Sequence, residues 1–172
     1  EQKIKRVTRI RPGHADLPGT MKYGLDDVRN ILERASARET AARVAAGSIA
    51  ALFLQEFGIA FHSHVLSIGG VWASTTSLTD IDWDAVENSP VRCADDDAAA
   101  KMIKVIDEAK EAGDTVGGFA EVIATGVPIG LGSHIQWDLK IDGRIAQAMM
   151  SINAVKAVSI GDGYDSANLR GS

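Results

Sequence analysis

Residues 36–70 read SARETAARVAAGSIAALFLQEFGIAFHSHVLSIGG. The first four, Ser36-Ala37-Arg38-Glu39, have the spacing of a capping box: the serine hydroxyl takes a free helix amide, and the glutamate reaches back to the cap amide. This spacing predicts a helix starting near Ala37. It continues through Ala-rich sequence to about Phe57, where Gly58 can take a left-handed conformation without a side-chain clash. Because the helix is apolar nearly all round, it is expected to be buried on more than one side. Residues 59–68 then alternate as a strand does, and Gly69-Gly70 end it. A helix leading directly into a strand points to a layered α+β arrangement, with sheet packed on helices.

Working outward, residues 71–92 are polar and turn-rich, with Trp72 and Trp83 as the expected anchors. Asp95-Asp96-Asp97 open a second helix in which Met102, Ile103, Val105, Ile106 and Ala109 recur at helical spacing. Acid at its start and Lys110 near its end match the helix dipole, and Gly113 closes it. Residues 115–127 read as a strand interrupted by Gly117-Gly118, 128–132 as a loop, 141–154 as a third helix and 157–160 as a short strand. Upstream, residues 4–23 are basic and then loop-like, because the turn-forming pair Pro-Gly occurs at 12–13 and again at 18–19. The expected order is loop, helix, strand, helix, strand, helix, strand, in a single domain over residues 1–172.

Lys and Arg number 18 against 23 Asp and Glu, a net charge of −5, which argues against a broad nucleic-acid-binding face and requires any anion site to be local. With 45% hydrophobic and 24% charged residues the composition is that of a folded chain rather than a disordered one. The single cysteine, Cys93, excludes an intrachain disulfide and a cysteine zinc cage, so the expected location is the cytoplasm. The longest nearly apolar run, residues 44–54, falls well short of the roughly 20 residues that cross a bilayer, and no membrane association is expected. The chain opens Glu1-Gln2-Lys3 with neither Met nor an apolar secretory segment, and it is expected to be part of a longer polypeptide.

The richest stretch for chemistry runs from residue 11 to 43 and holds Arg11, His14, Lys22, Arg29, Arg34, Arg38 and Arg43. A capped helix start offers unsatisfied amides, and guanidinium forks add paired donors matched to phosphate or carboxylate, so an anionic ligand is one reading. The other is that these cations are solvated or paired with Glu33, Glu39, Asp26 and Asp27. His14, in a loop after Pro-Gly, belongs to the side-chain class that exchanges a proton near neutral pH; it can equally be a solvated or merely hydrogen-bonded residue. His62 and His64 share a strand face as a metal pair would, but no third ligand is near in sequence, and polar-surface or structural roles are the expectation. Asp80-Ile-Asp82-Trp-Asp84 imitates the start of a calcium loop, yet Ala85 stands where Gly is required and Val91 where Glu is required. Calcium is rejected, and no metal is expected. The glycine clusters fit neither dinucleotide nor P-loop spacing and read as turns, and Cys93 reads as inert.

Several long motifs, in order, resemble the chorismate synthase family. They are Arg11-Pro-Gly-His14-Ala-Asp16, Lys22-Tyr-Gly24, Arg34-Ala-Ser-Ala-Arg-Glu-Thr40 with Ala41-Ala-Arg-Val-Ala-Ala-Gly47, Gly126-Val-Pro-Ile-Gly-Leu-Gly132, and Met149-Met-Ser-Ile-Asn-Ala-Val-Lys156 leading to Ile160-Gly-Asp-Gly163. The resemblance implies a lyase of the shikimate pathway, which leads to the aromatic amino acids. Its reaction is an anti-1,4 elimination of phosphate from 5-enolpyruvylshikimate 3-phosphate to give chorismate. It also implies a reduced FMN cofactor, a sandwich of helices with antiparallel sheet, and assembly as a homotetramer. On the matching positions His14 is an active-site histidine placed to protonate the reduced flavin. Arg34, Ala35 and Ser36 match the flavin-contacting triplet, with Ala35 where Ser is frequent. Arg11 and Arg38 match residues facing the substrate's carboxylate or phosphate, and Ser36 serves both ligands.

The family's Ser-His-Gly segment and its later Asn-, Lys- and Arg-bearing flavin motifs do not occur in these 172 residues. The expectation is therefore a central segment of chorismate synthase with part of the FMN and substrate site, inactive alone. The contrasting expectation is a non-catalytic α+β module that retains an anion-binding helix start or an oligomer interface.

Overall fold

The computed structural model describes residues 5–35, 37–74 and 77–171. They form two compact units, residues 1–50 with 128–172, and residues 51–127.

The second unit is built on an antiparallel sheet ordered β2-β1-β3, with β1 at Ala60–Ile68, β2 at Val71–Trp72 and β3 at Gly118–Thr125. Ser67 pairs with Trp72 across β2 and with Phe119 across β3, so both rings stand beside one small hydroxyl. They meet over it, with centroids 4.9 Å apart, and leave Ser67 buried. Between Val65 and Ser67 the register with β3 shifts by one residue. The extra residue, Leu66, lets Val65 and Ile68, three apart, face the same way. Both pack against the helix Asp96–Glu111, where Ala98, Ala99 and Met102 form the core with Cys93. Residues 71–92, read as turns, contain strand β2 and a further helix, Trp83–Asn88. Asp82 caps that helix by accepting from the amides of Asp84 and Ala85, which is the use the structure makes of the acidic Asp80–Asp84 run. Trp83 anchors it, stacking on His62 at 4.6 Å and meeting His64 edge-on at 5.7 Å. His64 also pairs across the sheet with Glu121, Nε2 to Oε2 at 2.8 Å. Arg92 ties the helix end to the sheet, donating to both oxygens of Glu87 at 2.7 Å and to the Ser63 carbonyl at 3.0 Å.

The helix Asp96–Glu111 carries its own test. Asp95 caps it through Oδ1, accepting from the Ala98 amide at 2.9 Å, while Oδ2 accepts from the amide and hydroxyl of Ser74. These donors hold the carboxyl near 2, below its ordinary 3.8. A carboxylate depressed in the fold adds stability that is complete above the unfolded value and is lost as pH falls through the folded one. In an unfolding series from pH 7 to 2, Asp95→Asn is expected to remove about one proton's worth of slope below pH 4. Asp95→Ala should cost about 0.5–2 kcal/mol at neutral pH as a lost cap.

The first unit holds α1 (Asp16–Tyr23), α2 (Arg29–Leu32), the start of α3 (Ala37–Gln55) and α6 (Ile141–Met150), counting the helices Trp83–Asn88 and Asp96–Glu111 as α4 and α5. Residues 16–23, read as loop, are helical. Pro18 lies in the first turn, where a missing amide hydrogen costs nothing, and Gly19 is required by packing: a Cβ there would lie 2.7 Å from Ile31 Cγ2 of α2. The helix α3 starts at Ala37 as the spacing predicts; Ser36, the proposed cap, lies outside the described residues. Gly58 takes φ 77° beyond its end.

Its burial differs from expectation. Val44, Ile49, Leu52 and Phe53 are all more than 60% exposed. Apolarity all round makes a helix that needs cover, but the cover must come from another surface, and no other described helix or strand packs extensively along α3. The third predicted helix stops at Met150 instead of 154. Ser151 turns its hydroxyl back to the Ala148 carbonyl at 2.6 Å, and Ala154 takes a left-handed φ of 69°. Residues 157–160, read as a short strand, form none. Helices with one small antiparallel sheet make the chain α+β, and no described helix is long and apolar enough to cross a membrane.

Candidate functional site

A loop at residues 11–15 leads into α1, and the turn at 33–35 leads from α2 towards α3. Between these elements lies a cavity of about 310 Å³, lined by Ala15, Pro18, Gly19, Lys22, Tyr23, Ile31, Arg34 and Ala35. Its two charged lining residues, Lys22 and Arg34, are both cations, so an anion entering it meets attraction and no lining carboxylate. Ala15, Pro18 and Ile31 give it an apolar floor, and Tyr23 adds a ring over which the Lys22 ammonium lies at 5.5 Å from the centroid.

Two of the sequence-derived flavin residues, Arg34 and Ala35, therefore come together on this cavity. Arg34 also pairs with Glu39 at 3.0 Å, and Arg43 reaches the same carboxylate at 3.5 Å, so one acid serves two cations. Arg43 donates in addition to the Ser151 hydroxyl, 2.8 Å away. Ser36 and the side chain of Arg38 lie outside the described residues. His14 sits exposed at the apex of the loop, next to Ala15 of the cavity wall, and its amide donates to the Arg11 carbonyl at 3.3 Å. Arg11 does not line the cavity. Its Nε and Nη2 grip the Asp16 carboxylate side-on at 2.9 and 2.8 Å, and its amide donates to the same group at 2.8 Å. This drops the Asp16 carboxyl to about 2.

The ion pairs foreseen for the alternative form in part, at Arg34 and Arg43, which share Glu39, whereas Asp26 meets Arg6 at 3.2 Å and Asp27 accepts from the amides of Val7 and Arg29. Sequence reading missed the tight pairing of Arg11 with Asp16 and the contribution of α1 to the wall. An acid in the first turn five residues after an arginine is the signal that was available. It also missed a second cavity, about 530 Å³, where the loop from Gly130 to His134 meets Lys140 and the first residues of α6. The pair His62 and His64 does share a face, but it packs on Trp83; no group of three or more potential ligands forms a metal cluster among the described residues.

The family model for chorismate synthase matches residues 2–172. The chain belongs to the chorismate synthase family. A chorismate synthase of Shouchella clausii (strain KSM-K16) is 53% identical over 174 residues, covering 100% of this chain and 45% of its own length. A "chorismate synthase 1" of Bacillus cereus (strain ATCC 10987 / NRS 248) is 54% identical over 175 residues, with the same coverage. A crystal structure of chorismate synthase superimposes with a TM-score of 0.83 at 50% identity, over 91% of this chain and 50% of the other. The chain thus spans about half the length of the chorismate synthases it matches, and its α+β architecture is that of the corresponding half.

Proposed function

We propose that this chain is a central segment of a working chorismate synthase, a lyase that eliminates phosphate from 5-enolpyruvylshikimate 3-phosphate to give chorismate in the shikimate pathway. The observation that carries the reading is the meeting of Arg34 and Ala35, both in the flavin-matching triplet, on a cavity whose charged lining is wholly cationic. Two cations, a tyrosine ring and an apolar floor suit a flat aromatic group that bears a phosphate. Reduced FMN, when bound, supplies the electron-rich flavin that the elimination requires without net oxidation. Arg34 and Lys22 would hold its anionic part, with Ala35 and Ser36 beside it. Arg11 and Arg38 would face the carboxylate or phosphate of the substrate, and Ser36 would serve both ligands. His14, exposed on the loop beside the cavity, would control the proton at the flavin.

The elimination needs all of these groups held together, so the reading assigns activity to the longer polypeptide and not to the 172 residues alone. It includes a homotetramer in the cytoplasm; the exposed apolar side chains of α3 are consistent with a protein that covers them by further association. Two measurements test it. The full-length polypeptide carrying this segment should form chorismate from 5-enolpyruvylshikimate 3-phosphate with reduced FMN under anaerobic conditions, and no product would overturn the reading. In that enzyme Arg34→Ala should weaken reduced-FMN binding about fivefold, the loss of a charge-assisted contact on an exposed side chain.

A further inference from the structure

Asp16 is a fully buried carboxylate in the first turn of α1, and among the described residues the three hydrogen bonds it receives from outside the helix all come from Arg11. The geometry of that grip is specific. A guanidinium carries five N–H groups; a side-on pair uses the one on Nε and one on Nη2, leaving one on Nη2 and two on Nη1. The one on Nη2 and one of the two on Nη1 form the end-on edge of the fork, which can hold a second oxyanion with two parallel bonds. The carboxylate is wholly enclosed while the Arg11 side chain is 39% exposed, so the fork is gripped on its buried partner while part of the arginine side chain stays open to solvent. The same carboxylate takes the Arg11 amide, which closes the loop carrying His14 at both of its ends.

We propose that Asp16 is a positioning residue for anion binding: from inside the fold it fixes Arg11 side-on, so that the end-on edge of the guanidinium is held ready for an oxyanion of the substrate. The proposal rests on the reading above, in which Arg11 faces the substrate. A free arginine side chain must give up rotamer freedom to make a two-bond contact, and Asp16 removes that freedom in advance. An amide in its place keeps the shape, but it offers Arg11 one acceptor and one repelling donor, so the fork is released.

The test is a two-residue cycle in the full-length enzyme with reduced FMN: Asp16→Asn, Arg11→Ala and the double variant, read by titration with 5-enolpyruvylshikimate 3-phosphate and by turnover. Asp16→Asn should weaken substrate affinity about tenfold, with KM rising and kcat nearly unchanged. In the Arg11→Ala background it should have no further effect on affinity, because nothing is left to position. A merely structural role would instead weaken FMN binding and substrate binding alike and would persist without Arg11. Full additivity of the two substitutions overturns the positioning while leaving Arg11 at the site. An Arg11→Ala enzyme with unchanged affinity removes Arg11 from the site and the proposal with it, and the single variant alone reads that outcome. Should Asp16→Asn fail to fold, Asp16→Glu keeps the charge, displaces the fork by one methylene and reads the same quantity, with retained affinity counting against the proposal.

Discussion

His14→Ala in the full-length enzyme is expected to lower turnover by about 10²- to 10⁴-fold, the usual contribution of a placed proton donor or acceptor. Substrate affinity should change far less. The asymmetry follows from where the residue sits. His14 lies exposed on a loop whose backbone is tied down on both sides, by its own amide to the Arg11 carbonyl and by the Asp16 carboxylate to the Arg11 amide. Removing the imidazole leaves those ties intact, so the cationic cavity and the Arg11 fork should keep their geometry while the proton-exchanging group is gone. Single-turnover rates measured anaerobically with reduced FMN report the chemical step, and substrate titration reports binding. Equal loss in both would mean that the substitution has disturbed the loop, and an unchanged rate would return His14 to the class of solvated histidines.

Met102→Ala should destabilise the protein by about 2–5 kcal/mol, the largest effect on stability foreseen here. Met102 is completely buried on α5, among Ala98, Ala99 and Cys93, with Val65 and Ile68 of β1 beyond. Such small neighbours cannot extend into the space a thioether leaves, so the cavity persists and adds to the lost transfer energy. Met102→Leu, close in volume, should cost less than about 1.5 kcal/mol. Urea unfolding followed by circular dichroism separates the two, and equal midpoints would show that this core does not depend on close packing at Met102. By contrast Phe53→Ser on α3, where the residue is 64% exposed, should change the unfolding free energy of the isolated chain by no more than about 0.5 kcal/mol.

Local signals were legible where one element satisfies them by itself. The Asp-rich start and helical spacing of α5 give an amphipathic helix whether or not a sheet is present; the structure adds that Asp95 caps it. The start of α3 at Ala37, the strand over 60–68 and the two glycines after it were likewise readable from short-range chemistry. The helix α1 was not readable in this way. Pro18-Gly19 signals a turn by propensity, and only the approach of Ile31 from α2 makes that glycine a packing requirement within a helix. Residues 157–160 show the reverse case, a strand-like pattern that does not become a strand.

For the candidate site, the sequence by itself determined the stock of groups: Arg11, His14, Arg34, Ala35, Ser36 and Arg38 stand in motifs whose order marks the family, and the acidic chain around them requires any anion site to be local. Tertiary structure alone decided how those groups are shared out. It set Arg34 and Ala35 on the cavity with Lys22 and Tyr23, gave Glu39 to two arginines, and turned Arg11 inward onto Asp16. The reason is that motif spacing fixes which residues are near one another along the chain, whereas the choice of partner for a long charged side chain depends on which carboxylate the packing buries beside it. A buried carboxylate such as Asp16 takes its donors from the side chain within reach, because leaving it unpaired would be far more costly than the loss of freedom in the arginine.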